Sequence, residues 1–248
     1  MYDKALVYYD QLYAAYCKLL GEKHEQSLRL LPRLGHVNYY VRNYSKAAEL
    51  YHKAYLLNGE ILGENHKRTV GSLFDYAYTL VDCGEFEKAV EPSLKAYESL
   101  SKIYGKDDKQ AVEALENAAY CYIKLKKYAE GIELYGQIYH IRKGLYGADN
   151  DDTLFVLSSY VYSLFNGGEY EKALENCLEL YKQRCAVLGE KHIDTLKALA
   201  RLGDIYHKLD NIPQAVECYE KAYKSRLETL GADHEDTIAV KTKLDEIK

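Results

Sequence analysis

The sequence predicts an all-α chain folded as a right-handed superhelical solenoid of stacked helix-turn-helix repeats. Leu20-Gly21 recurs as Leu62-Gly63, Tyr104-Gly105, Tyr146-Gly147, Leu188-Gly189 and Leu230-Gly231, at steps of 42 residues without insertion. Tyr13, Tyr55, Tyr97, Tyr139, Tyr181 and Tyr223 hold tyrosine in the same register. Ala5, Ala47, Ala89, Gly131, Ala173 and Ala215 keep a small residue where two helices must approach closely. Periodicity of this length is the signature of stacked supersecondary units that share a core.

In chain order, residues 1–21 read as the second helix of a partial repeat. Residues 22–63, 64–105, 106–147, 148–189 and 190–231 read as full repeats, and 232–248 as a C-terminal capping helix. Within a repeat, Leu196, Leu199, Leu202, Tyr206 and Leu209 fall at intervals of three and four, the spacing of one helix face. Ala215, Cys218, Tyr219, Ala222, Tyr223 and Leu227 do the same for the second helix. Between the two runs lie Asp210-Asn211-Ile212-Pro213 and its counterparts Cys83-Gly84-Glu85-Phe86 and Gly167-Gly168-Glu169-Tyr170, polar or glycine-rich turns that end in an apolar plug. The recurrent glycine ends each second helix, because positive φ is cheapest at glycine. Acids, Ser or Thr follow it and suit the next helix start. His24, His66, His192 and His234 recur at the same linker position, one or more repeats apart, which favours capping or packing over convergent metal ligation.

Composition agrees with a helical interaction protein. Apolar residues make up 48% and the chain holds 3 Pro, ample core with few helix breakers. A net charge of -5 leaves no broad basic field for phosphates or anionic lipid, so nucleic acid and membrane are not the expected partners. The N-terminus lacks the apolar run of a signal peptide, which predicts a cytoplasmic chain. Six cysteines without a C-x-x-C pair fit free thiols in a reducing compartment.

Leu202-Gly203, Tyr206, Ala215, Tyr219 and Ala222 follow an L-G-x-x-Y, then A-x-x-x-Y-x-x-A pattern that resembles the tetratricopeptide repeat. The 42-residue period and the L-G-x-x-H linker are similar to the kinesin light chain subclass. The resemblance implies scaffolds that grip peptides in a concave groove lined by the first helix of each repeat. It also implies paired asparagines facing cargo, but the matching pairs here are Pro32-Arg33, Phe74-Asp75, Glu116-Asn117, Ser158-Ser159 and Ala200-Arg201. Asn117 alone keeps the pattern, and no heptad region for heavy-chain pairing is present, so a motor-cargo role is not implied.

No phosphate loop, nucleophile elbow or paired zinc motif appears, so neither an enzyme nor a cofactor is expected. The expected groove is a peptide surface built from Arg33, His36, Phe74, Asp75, Tyr78, Asn117, Tyr120, Ser159, Tyr162, Lys197, Arg201, Asp204 and Lys208. Within it His36, Tyr78, Tyr120, Tyr162 and Asp204 share one register, and three tyrosines in succession form a candidate ladder of the kind enriched at binding hot spots. Phe155 and Phe165 project toward the same region. Lys197, Arg201, Lys208 and Lys243 concentrate positive charge near the C-terminal end, a match for an acidic ligand or a free carboxylate. Asp75, Asp82, Glu113 and Glu116 place negative charge nearer the middle.

These features predict a scaffold that binds a peptide or partner protein. The alternative is a sensor or regulatory segment that docks on a neighbouring catalytic or nucleotide-binding domain. Because the register opens on a second helix, Leu6, Tyr9, Leu12, Tyr13 and Tyr16 are expected to present apolar surface. That surface suits either a longer repeat protein or self-association.

Overall fold

In the computed structural model, which describes the backbone of residues 2–248 and the side chains of residues 4–248, the described residues form twelve α-helices and no strand. In order these are α1 (Tyr2–Leu20), α2 (Glu25–Tyr40), α3 (Tyr44–Leu62), α4 (Lys67–Asp82), α5 (Phe86–Tyr104) and α6 (Lys109–Lys124). There follow α7 (Tyr128–Tyr146), α8 (Asp151–Asn166), α9 (Tyr170–Leu188), α10 (Ile193–Lys208), α11 (Ile212–Leu230) and α12 (Glu235–Ile247). The chain divides into two compact units, Met1–Lys127 and Tyr128–Lys248, each a stack of α-hairpins of the α–α superhelix class. Each helix of a unit packs on the next, and in the first unit α4 also meets α6.

The helix ends explain why the register is so regular. Gly63 ends α3 with φ 90 and ψ 157, a region essentially confined to glycine, and its N–H closes the last turn on Gly59. Gly21, Gly105, Gly147, Gly189 and Gly231 repeat the positive φ at the same step. The next helix is then capped by His24, His66, His192 or His234, whose Nδ1 accepts the backbone N–H two residues on at 3.1–3.2 Å. Asp108 and Asn150 take the histidine's place at α6 and α8 and accept from two backbone N–H groups each. Capping by the linker histidines and by an acid after the glycine was expected, and Asp108 is such an acid. Of the Ser or Thr expected beside it, Thr69 instead reaches back to the Gly63 carbonyl at 2.8 Å.

The turn inside each hairpin is a Schellman motif. Asn43, Glu85, Lys127, Glu169 and Asn211 donate to the carbonyls of Asn38, Leu80, Tyr122, Leu164 and Tyr206, five residues back. The residue before each donor has positive φ, and where glycine is absent Arg42, Lys126 and Asp210 adopt it at 58–63°.

Ala47, Ala89, Ala173 and Ala215 are fully buried, as close approach of paired helices requires. Of the tyrosine series, Tyr13, Tyr55 and Tyr181 are half-buried and covered by lysines. Lys53, Lys95 and Lys221 lie 5.8, 5.5 and 5.7 Å over the rings of Tyr13, Tyr55 and Tyr181 in the preceding repeat. The same lysines pair with Glu22, Glu64 and Glu190. Exposed contacts of this kind contribute roughly 0.5–1 kcal/mol each, so they tie neighbours in register while the buried alanine and leucine faces carry the stack.

On α1 the expected apolar surface is half-covered. Leu6, Tyr9 and Tyr13 pack against the cluster of Leu28, Leu31, Leu34, Leu50 and Ala54, because α2 and α3 cover that face. The exposed large apolar residues of α1 are, among the described residues, Val7, Tyr8, Leu19 and Leu20. The side chain of Tyr2 lies outside the described residues. Cys121, Cys177 and Cys218 are buried free thiols, pushed by desolvation to about 11, about 12 and about 11.

Candidate functional site

Within the second unit α8, α10 and α12 line a cleft of about 440 Å³. The first helices supply Phe155 and Tyr162 from α8, Lys197, Arg201 and Asp204 from α10, and Lys243 from α12. Beneath them α9 and α11 supply Leu180, Arg184 and Arg226. Arg226 is 4% exposed and Arg184 is half-buried. Arg184 Nη1 donates to the Asp194 carbonyl at 2.9 Å, and Arg226 Nη1 to the Asp236 carbonyl at 2.7 Å. Among the described residues no carboxylate pairs with either guanidinium, and Arg226 Nε is buried without an acceptor. Both contacts fall in the first turn of the following helix, where the helix dipole is itself positive and gives a cation no relief. Desolvation lowers the pKa of both arginines, against the raising influence of Asp194 and Asp236.

The rest of the cleft is largely balanced internally. Asp204 lines the cleft with a side chain that is 14% exposed. It accepts from Tyr219 Oη at 2.7 Å and Lys243 Nζ at 2.6 Å, and Arg201 lies 3.4 Å away. Lys197 pairs with Asp194 at 3.4 Å. Arg201 also covers Tyr162 at 5.7 Å and Phe165 at 4.9 Å from the ring centroids. Five cationic side chains face the three carboxylates of Asp194, Asp204 and Asp236, so the cleft carries an excess of positive charge. Ser159 and Lys208 stand outside the cleft. The Ser159 hydroxyl bonds its own helix at Phe155, and Lys208 is exposed near the end of α10.

In the first unit, Arg33, His36 and Asp75 meet in a niche of about 470 Å³ between α2 and α4, above the buried Asn58 of α3. His36, Phe74, Asp75 and Tyr78 also line a smaller cup beside it. His36 Nε2 lies 3.5 Å from Asp75 Oδ2, and hydrogen bonding to that carboxylate raises the imidazole's pKa against burial. On α6, Tyr120 is 40% exposed with Phe86 against its edge, and Asn117 is half-buried with its amide nitrogen unpartnered.

The tetratricopeptide repeat family model matches residues 157–228, which include α9 and α10 and most of the cleft. A solved structure described as a putative kinesin light chain of nearly identical TPR-like repeats from Podosopora anserina is similar over 84% of this chain and 98% of its own, at 17% identity and a TM-score of 0.70. This is a tetratricopeptide-repeat fold of the kinesin-light-chain-like kind. BtubC (BKLC) from P. vanneervenii is similar over 93% of both chains, at 15% identity and a TM-score of 0.65. The apo form of RapI covers 92% of this chain and 93% of its own, at 16% identity and 0.59. No curated protein sequence matches the chain.

Within this repeat fold, sequence reasoning missed the arginine pair because second helices were read as core. The signal was present: Arg142, Arg184 and Arg226 stand at one 42-residue step, in a position that is Asn58 and Leu100 earlier in the chain. An arginine where a leucine serves is a departure that packing alone does not require. No helix among the described residues is long and apolar enough to cross a membrane.

Proposed function

We propose that the chain is a protein-interaction scaffold and that the cleft of its second unit holds a segment of a partner rich in carboxylates. The tetratricopeptide-repeat match and the kinesin-light-chain-like fold support an interaction scaffold in general. The observation that carries the finer reading is the pair Arg184, half-buried, and Arg226, buried, whose guanidinium groups form no direct pair with a carboxylate of the cleft. A buried charge without a counter-ion is costly, and a ligand carboxylate supplies the missing partner by a charge-assisted hydrogen bond. Phe155, 68% exposed, and Tyr162, 42% exposed, add flat apolar surface at the rim for the segment's side chains. The reading is that of a binding module: nothing in the cleft is arranged as nucleophile and base.

The test is a panel of acidic peptides and their Asn/Gln counterparts titrated into the full chain at rising salt. Arg226→Met should abolish the preference for the acidic peptides without lowering thermal stability, because it removes a desolvated charge at nearly constant volume. Arg201→Glu should weaken binding and flatten its salt dependence. Equal affinity for acidic and amide peptides would sink the proposal.

A further inference from the structure

In the first unit Tyr39, Tyr40, Phe74 and Tyr78 form the wall of a cup of about 210 Å³, edged by the carboxylates of Asp75 and Glu113. The rings are in mutual contact. Tyr39 lies 5.9 Å from Tyr40 and 6.2 Å from Tyr78, and Phe74 lies 6.4 Å from Tyr78. The Tyr39 hydroxyl donates to Asp82, which holds its ring in place. Aromatic faces carry negative potential, and carboxylates at the edge of the same cup deepen it.

The chain shows elsewhere what such rings attract. Tyr120 and Tyr162 occupy the register of Tyr78, and the chain's own Lys124 and Arg201 lie over them at 5.0 and 5.7 Å. Among the described residues no cation of the chain lies over Tyr39, Phe74 or Tyr78. The edge charges are weakly compensated. Asp75 faces His36 at 3.5 Å, and Glu113 has Lys109 at 3.8 Å on a side chain 81% exposed. The volume is below the roughly 300–1,000 Å³ of a small-molecule site, and so takes a side-chain head rather than a whole ligand.

We infer that this cup receives the cationic head of a lysine or arginine side chain on a peptide partner. It is carried by residues of the other unit from the arginine cleft, so the two assignments succeed or fail separately.

The test uses the full chain and probes without carboxylates: acetyl-glycyl-lysyl-glycinamide, its arginine and norleucine counterparts, and free n-butylammonium, followed by the ring resonances of tyrosine and phenylalanine. The cationic peptides should give saturable shifts at Tyr39, Phe74 and Tyr78, and the neutral norleucine peptide should bind at least roughly threefold more weakly, the size of an exposed cation–π contact. Tyr78→Leu should lose a similar factor, Tyr78→Phe should keep the affinity, and Asp75→Asn should weaken it with the rings intact. Norleucine binding as well as lysine, or wild-type affinity in both Tyr78→Leu and Asp75→Asn, overturns the inference. Free n-butylammonium binding as tightly as the lysyl peptide overturns the peptide source.

Discussion

Gly35 lies against the face of Tyr51 so closely that a Cβ added to it would stand 2.7 Å from the ring's Cε1. Gly203 and Tyr219 repeat the relationship in the second unit at 2.5 Å. In the same register the second repeat has Ala77 with Ser93, the third Ala119 with Tyr135 and the fourth Val161 with Cys177. In the second and fourth repeats volume is exchanged between the two helices of a hairpin. Gly35→Ala should destabilise the chain by about 1–3 kcal/mol, the range for overpacking. Adding Tyr51→Ser should recover part of that loss. Chemical denaturation of the two variants checks it, and additive losses would mean that the pair is not coupled.

Asp75 holds the imidazole of His36 above the ordinary histidine value of about 6.5. A raised folded-state pKa contributes stability that is complete below the unfolded value and disappears as pH climbs through the folded one. NMR titration should therefore place His36 above 6.5, and Asp75→Asn should return it toward that value. The contribution to stability is small, since the His36 side chain is 52% exposed.

Asp210 bears a positive φ of 58° at the position held by Gly84 and Gly168 in other repeats. Asp210→Gly should stabilise the fold by up to about 1 kcal/mol, read as a higher melting temperature, the relief of left-handed strain outweighing the added chain entropy. A drop of similar size would show that the aspartate makes a stabilising contact of its own.

His66 caps α4 through Nδ1, and Asp108 caps α6 through its carboxylate. His66→Ala should cost roughly 0.5–2 kcal/mol, as the loss of an N-cap acceptor does. His66→Asp should hold or gain stability, because the carboxylate reaches two backbone N–H groups and faces the positive helix end. Thermal melts of the two variants would separate by several degrees if the cap is as described.

The helices were legible in the sequence because each position meets the same surroundings every 42 residues: the alanine at the crossing, the glycine at positive φ and the histidine cap recur with their environments. The candidate site was legible where its residues lie on exposed faces, as Tyr78, Tyr162 and Arg201 do. The partners of Asp204 were not, since Tyr219 and Lys243 come from two other helices, and no local pattern announces that three groups meet. Arg184 and Arg226 were hidden for the opposite reason: a long side chain on a core-facing helix can reach through to the first-helix side, so its functional face differs from the one its register suggests.

The lysines that bridge from one repeat to the tyrosine of the repeat before it bear on how the chain yields under load. Each tie spans a single step, so a hairpin peeled from an end breaks the ties to one neighbour and leaves the next intact. Pulled from its termini, the chain should lengthen in a sawtooth whose increments correspond to one 42-residue hairpin, about 140–150 Å of contour at full extension.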